Sequence, residues 1–123
     1  KLASTDFVDE ADDGSEEWKV IYQFNSTERQ AAEKLQEKLD KFLTERRYNT
    51  EMSTSIDYYD PESILVIIHG LNTKLGARGL AQVLNEDKKY KIKKPFFEIS
   101  SPNYKIVQIH KNLEDYLKAD TVE

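Results

Sequence analysis

The run Ile64-Leu65-Val66-Ile67-Ile68 contains five consecutive apolar residues, four of which are β-branched. A strand with one solvated face alternates apolar and polar side chains, whereas this run has no polar position. It therefore predicts a central strand that is covered on at least one face and crowded on both. The other elements can be placed around this strand.

The residues before the run predict a strand, a helix and a second strand. Residues 18–24 alternate large apolar side chains with other residues and predict the first strand. Apolar residues then recur at three- and four-residue steps as far as about Arg47, which predicts an amphipathic helix. Residues 52–58 alternate again, and Asp60-Pro61 supplies the turn chemistry of a hairpin that leads into the run.

A second helix is predicted after the run, with its N-terminal cap at Asn72 or Thr73. Gly76 and Gly79 weaken this helix by up to ~1 kcal/mol each relative to alanine. We interpret the two glycines as positions that allow the helix to approach the sheet closely. The predicted apolar face of the helix consists of Leu75, Leu80, Val83 and Leu84.

The end of the chain predicts a fourth strand and a third helix. Residues 95–99 form the short strand, and Ser101 with Pro102 has the pattern of a cap followed by the first helical residue. The helix would extend to about Lys118, and a strand over residues 104–110 is the alternative. Its apolar stripe consists of Ile106, Ile109, Leu113, Tyr116 and Leu117.

The element order β-α-β-β-α-β plus a terminal helix predicts an α+β, ferredoxin-like sandwich with an additional C-terminal helix. We expect a single domain over residues 18–118 and a tail over residues 119–123. Residues 1–17 carry one lysine and seven acidic residues, so their net charge is −6, whereas the remainder of the chain is at +1. This acidic stretch predicts a disordered leader or linker.

Several classes of function lack the residues that they require. The chain has no cysteine and two histidines, and neither histidine has the spacing of a zinc site. No Gly-x-Ser-x-Gly elbow occurs, and the carboxylates near the predicted hairpin are those of a solvated turn. We therefore predict no enzyme activity, no cofactor and no bound metal. The nearly neutral body predicts no nucleic-acid partner, and no window is apolar enough to span a membrane.

In a β-α-β-β-α-β sheet both connecting helices lie on the same face, so the other face has no helix from these connections. The terminal helix either covers that face or leaves it open to a partner. Aromatic residues of the strands could form a binding platform there, although core packing is the interpretation that we favour for them. The basic connector at residues 88–94 could contact an acidic partner, and a solvated loop is the simpler interpretation. The candidate interaction residues are Trp18, Tyr22, Tyr58, Lys88, Lys89, Tyr104, Ile109, Lys111 and Asn112.

Three segments carry a resemblance to a known family: Phe96 to Leu117 (FFEISSPNYKIVQIHKNLEDYL), Ser55 to Asp60 (SIDYYD) and Val66 to Gly70 (VIIHG). Together they resemble the C-terminal module of tetratricopeptide-repeat proteins from Bacteroidetes. That group includes the lipoprotein linked to type IX secretion and gliding motility. The similarity covers roughly residues 18–118, and the acidic leader would be the linker from the repeat region.

The resemblance implies a periplasmic module of an outer-membrane-anchored lipoprotein that has no catalytic role and binds protein partners of the cell envelope. The predicted plan is also similar to that of SPOR domains, which bind peptidoglycan glycan strands. We therefore expect a protein-interaction module of a secretion or gliding-motility assembly. Glycan-strand binding on a SPOR-like sheet face is the alternative.

Overall fold

The computed structural model describes Phe7, residues 17–48 and residues 50–122, with side chains described as far as residue 118. The predicted leader lies outside the described residues except at Phe7 and Glu17. The strands are β1 (Trp18–Asn25), β2 (Ser53–Asp60), β3 (Ser63–Leu71) and β4 (Phe97–Ser100). The helices are α1 (Arg29–Glu45), α2 (Lys74–Glu86), α3 (Ser101–His110) and α4 (Leu113–Val122).

The fold is α+β and is built on one four-stranded sheet with the order β2-β3-β1-β4. Every neighbouring pair of strands is antiparallel. The connection from β1 through α1 to β2 passes β3, and the connection from β3 through α2 to β4 passes β1. The predicted central strand is β3, which has β1 on one side and β2 on the other.

The first core cluster fills the space between the sheet and helices α1 and α2. Alternate residues of β1 and β3 point into it, as the period of two requires. The strand residues of this cluster are Trp18, Val20, Tyr22, Phe24, Ile64, Val66, Ile68 and Leu71. The helices contribute chiefly Leu35, Leu39, Phe42, Leu80 and Leu84.

The second core cluster lies on the opposite face of the sheet, where α3 and α4 cover it. The sheet contributes Ile21, Leu65, Ile67 and Ile99, and the two helices contribute Tyr104, Val107, Leu113 and Tyr116. Phe7 packs against this cluster, and its ring centroid lies 5.3 Å from that of Tyr116 in an edge-on arrangement. The side chains of residues 64–68 are therefore buried on both faces of β3, as their unbroken apolar sequence predicts.

The prediction of one terminal helix is wrong, because two helices meet at Lys111. Lys111 has the left-handed conformation, with φ of 54°, and its N–H donates to the Val107 carbonyl, which ends α3. Tyr59 of β2 fixes this break, since its hydroxyl accepts from the N–H of Leu113 at 3.1 Å and its carbonyl accepts from Lys111 Nζ at 2.5 Å. Residues 104–110 are helical, so the alternative strand is also excluded.

The predicted apolar stripe is only partly correct. Leu113 and Tyr116 are buried, but Ile106 is half-buried and Ile109 is 63% exposed. Tyr104 and Val107 take the buried positions on α3 instead. The break at Lys111 changes the direction in which the buried side of the helix faces. A single 3.6-residue period through both helices therefore assigns some residues of α3 to the wrong side.

Gly70 lies near the end of β3, where the pairing with β1 is irregular. Trp18 pairs with Leu71 and Val20 pairs with Ile68, so β3 has one more residue than β1 across this interval. Gly70 has φ of +99°, and a Cβ built on it would lie 2.1 Å from the carbonyl oxygen of Glu51. Only glycine fits both the positive φ and the close backbone approach.

Gly70→Ala should lower the free energy of unfolding by about 2–4 kcal/mol, since it adds backbone strain and a clash with main-chain atoms. Gly79→Ala is the matched control, because a Cβ at Gly79 has no other atom within 4 Å. That change should raise the stability by up to ~1 kcal/mol. Urea denaturation of both variants checks the pair, and equal effects at the two glycines would contradict the assignment of Gly70.

Leu113→Asp should lower the free energy of unfolding by about 3–5 kcal/mol, because it places an unpaired charge in the second core cluster. Leu113 is 4% exposed, whereas Ile109 on the preceding helix is 63% exposed. Ile109→Asp should therefore change the stability by no more than about 0.5 kcal/mol. Thermal unfolding of the two variants distinguishes them, and a large loss at Ile109 would place α3 in a different orientation.

Candidate functional site

An open apolar groove, called the α2 groove here, runs along α2 beside the end of β3. Its volume is about 470 Å³. The walls come from the segment that precedes β2, from the last residues of β3 and from one side of α2. The residues that define it are Tyr48, Met52, Leu71, Gly76, Gly79, Leu80 and Val83.

The exposed apolar side chains concentrate at this groove. Tyr48 is 39% exposed and Val83 is 46% exposed, and both line it. Leu75 is 81% exposed and stands on the same ridge of α2 as Gly79 and Val83, at four-residue spacing. Three of the five exposed large apolar side chains among the described residues therefore lie in or next to one groove.

The interpretation of Gly76 and Gly79 as close-packing positions is wrong. A Cβ at Gly79 would have no atom within 4 Å, and at Gly76 it would meet only the side chain of Thr73 at 3.0 Å. Ala77 and Ala81, both buried, pack α2 against the sheet instead. The glycines face the α2 groove and leave the helix backbone uncovered there.

The predicted apolar face of α2 is correspondingly half right. Leu80 and Leu84 are buried, whereas Leu75 and Val83 face solvent. The sequence signal that could have indicated the groove is the pair Leu75 and Val83. Ala77 and Ala81 already form the face of α2 that packs on the sheet, so these two larger apolar residues are not needed there. Thr73 is the N-cap and accepts from Gly76 N at 2.9 Å, which confirms one of the two predicted caps.

Three of the candidate interaction residues are part of the core. Trp18 and Tyr22 are 3% and 1% exposed in the first core cluster, and Tyr104 is 5% exposed in the second. Burial raises the pKa of Tyr22 well above its ordinary value. A partner cannot reach these side chains while the domain is folded.

The remaining candidates lie at separate places on the surface. Tyr58 is 59% exposed on β2, with the Arg29 guanidinium 5.9 Å from its ring centroid. Lys88 and Lys89 are exposed in the basic connector, and Lys89 Nζ donates to Glu45 at 2.8 Å. The structure does not bring these residues together with Ile109 into one surface.

Lys111 and Asn112 line a polar cleft of about 520 Å³ between the β2–β3 turn and the α3–α4 junction. Four of its lining side chains are acidic, those of Asp60, Glu62, Glu114 and Asp115, and His110 lies beside them. The described residues contain no group of three or more acidic, histidine or cysteine side chains that could hold a metal ion. Lys111 is already engaged by the backbone and ring of Tyr59.

A chain of polar contacts that the sequence did not indicate crosses the sheet on the α3 side. Lys19 Nζ lies 3.1 Å from His69 Nδ1, and His69 Nε2 lies 2.7 Å from the Ser55 hydroxyl. A lysine ammonium can only donate, so Nδ1 accepts and the proton of the neutral ring is on Nε2. His69 then donates to Ser55. A nucleophilic serine needs the opposite direction, with its own proton passed to the histidine.

A neighbouring set of polar contacts joins α3 to Asp57 on β2. The Tyr104 hydroxyl donates to Asp57, and Gln108 Nε2 lies 3.4 Å from the same carboxylate oxygen. Burial and the Asp57 carboxylate raise the pKa of Tyr104 far above its ordinary value. These contacts hold a helix on the sheet, and they leave Tyr104 protonated at neutral pH.

Comparisons with protein-family models, with curated proteins and with solved structures find no match for this chain. Within the described residues, no helix has the length and apolar character that a membrane span requires.

The His69 contact predicts a specific dependence of stability on pH. Burial, and secondly the charge of Lys19, lower the pKa of His69 from its ordinary value of 6.5. Between the folded pKa of His69 and pH 6.5, the folded state therefore binds fewer protons than the unfolded state. The contribution of His69 is fully present above pH 6.5 and is lost as the pH falls toward its folded pKa.

His69→Gln should flatten the decrease of stability below pH 6.5, measured by urea denaturation at a series of pH values. The glutamine amide can still accept from Lys19 and donate to Ser55. The unsubstituted chain measured over the same pH series is the reference. An unchanged slope in the His69 variant would rule out this histidine as the titrating group.

Proposed function

We propose that this chain is a non-enzymatic protein-interaction module whose α2 groove binds an apolar segment of a protein partner. The observation that carries the proposal is that exposed Tyr48 and Val83 line one open groove and that exposed Leu75 lies next to it on α2. A folded domain gains nothing from exposing these side chains together, whereas a partner that covers them removes apolar surface from water.

The glycines of α2 support the same function. Gly76 and Gly79 cost the helix up to ~1 kcal/mol each relative to alanine, and no packing against the sheet offsets that cost. Their position on the groove lets an incoming side chain approach the helix backbone. The two glycines and the exposed apolar rim therefore favour one binding surface.

The proposal includes a ferredoxin-like βαββαβ sandwich with two C-terminal helices. The sheet order β2-β3-β1-β4 and the two helical connections that each pass one strand support it, because two interleaved split β-α-β units have this arrangement. The fold alone assigns no function. Its value here is that it fixes α2 beside β3 and thereby positions the groove.

The proposed context is a secretion or gliding-motility assembly of the bacterial envelope, with the module in the periplasm as part of an outer-membrane-anchored lipoprotein. The resemblance of three segments, at residues 55–60, 66–70 and 96–117, supports this context. The non-enzymatic part is supported by the contact of Lys19 Nζ with His69 Nδ1, because a histidine that accepts there carries its proton on Nε2 and cannot take one from Ser55.

Glycan-strand binding on the sheet is the weaker proposal. The apolar residues Ile21, Leu65, Ile67 and Ile99 on the face opposite α1 and α2 are buried under α3 and α4. A glycan on this face would have to displace both helices. We therefore prefer a protein partner on α2.

Site-specific photocrosslinking in the source cells tests the function directly. With a photoreactive residue at Val83, the full-length protein should crosslink to a component of the secretion or motility assembly, which mass spectrometry identifies. Gly79→Leu should reduce this adduct by about tenfold or more, because its side chain fills the groove. The variant should remain folded, since the added side chain enters open space.

A photoreactive residue at the exposed Lys105 on α3 is the matched control and should give no such adduct. Thermal unfolding of Gly79→Leu establishes that any loss of adduct is not a loss of fold. An adduct of undiminished yield in Gly79→Leu, or an equal adduct from Lys105, would contradict the proposed groove.

A further inference from the structure

The outer edge of β2 is a second surface, separate from the α2 groove. β2 (Ser53–Asp60) is the last strand of the sheet on its side and pairs with β3 alone. In an antiparallel ladder, alternate residues direct their N–H and C=O groups to opposite sides, so about half of the backbone groups of β2 point away from β3. Across the described part of the chain, residues 53–58 make no backbone hydrogen bond outside the sheet.

The opposite edge of the sheet has a shorter strand with fewer backbone groups for pairing. β4 has four residues, all of which pair with β1, whereas β2 has eight residues. Residues 53–58 of β2 are long enough to pair with an extended segment, whereas the Tyr59 carbonyl already accepts from Lys111. β2 is thus the edge at which strand addition could occur.

Acidic side chains flank this edge. Glu37 and Asp40 lie on the adjacent surface of α1, whereas Asp57 of β2 is already bonded to Tyr104 and Gln108 on the opposite face. Asp40 is tied to the strand, since its Oδ1 accepts from the Thr54 hydroxyl at 2.5 Å. Glu37 and Asp40 also line a shallow depression of about 290 Å³ on α1.

The cations in this region do not cancel the acidic charge. Lys41 lines the same depression on α1, and Arg29 stands beside Tyr58. Arg29 is paired with Glu33, with its Nε 3.1 Å from Oε2. Glu37 and Asp40 outnumber Lys41 in this depression, so the α1 side of the edge is negative. Lys19 and Lys111 lie on the opposite face of the sheet, beside Tyr104 and Tyr59.

This charge pattern selects among possible occupants. A second copy paired through β2 would bring two surfaces of the same negative charge together, and such a juxtaposition of like charges is destabilising. A segment that carries cations meets the opposite charge. Acidic edges of this kind disfavour self-association and leave the backbone available to a basic strand.

We infer that the free edge of β2 is a docking site for an extended protein segment with lysine or arginine at alternate positions, which adds to the sheet as a fifth strand. The backbone of β2 supplies the hydrogen bonds, and the carboxylates of Glu37 and Asp40 on α1 supply the preference for cations. This inference does not rest on the α2 groove, and either surface can fail its test without the other.

A labelled eight-residue peptide of alternating lysine and threonine, equal in length to β2, is the probe. Added at low salt to the full chain, it should slow amide hydrogen exchange in residues 53–60. The double variant Glu37→Gln/Asp40→Asn should weaken peptide binding by about tenfold, because it removes two charges and keeps the side-chain shapes. Fluorescence anisotropy measures the affinity.

Glu17→Gln/Glu86→Gln removes the same charge from exposed residues outside β2, α1 and the β2–β3 turn and should leave the affinity unchanged. The same peptide with glutamate in place of lysine should not bind. Binding without protection of residues 53–60, or an equal loss in both double variants, would overturn the inference. So would a dimer of the chain whose β2 amides are protected before any peptide is added.

Discussion

Strand β3 presents branched apolar side chains to both faces of the sheet, and this is the constraint on which the architecture depends. Ile64, Val66 and Ile68 point to one face, and Leu65 and Ile67 point to the other. Exposing either set would cost about 25 cal/mol for each Å² of apolar surface left in water. One helical layer is therefore insufficient, so α1 and α2 cover the first face and α3 and α4 cover the second.

Covering both faces decides where this protein can bind. The interior aromatic residues are committed to the core, so an open aromatic sheet platform is absent from the described part of the chain. What remains for binding is the outer side of a helix and the outer strand of the sheet. The α2 groove uses apolar contact, and the β2 edge uses backbone hydrogen bonds and charge, so the two proposals invoke different physical interactions.

The sequence predicted the elements whose signals are local. The period-two pattern of residues 18–24 and the unbroken run in β3 identified strands, because burial on one or both faces acts directly on those patterns. The break at Lys111 was not predictable, since it depends on Tyr59, which is distant in sequence. The role of Gly79 was equally hidden, because a helical pattern does not tell whether a small residue faces the sheet or the solvent.

The fold requires α3 and α4 to lie on the second face of the sheet and bury it. Methyl NOESY spectroscopy of the full chain measures this burial through contacts between Leu65 and Ile67 on β3 and Val107 and Leu113 on the helices. We expect cross-peaks between these two groups of methyls, since all four residues belong to one buried cluster. The absence of such cross-peaks, together with narrow, mobile signals from Leu113, would show that the sheet face is open and would contradict it.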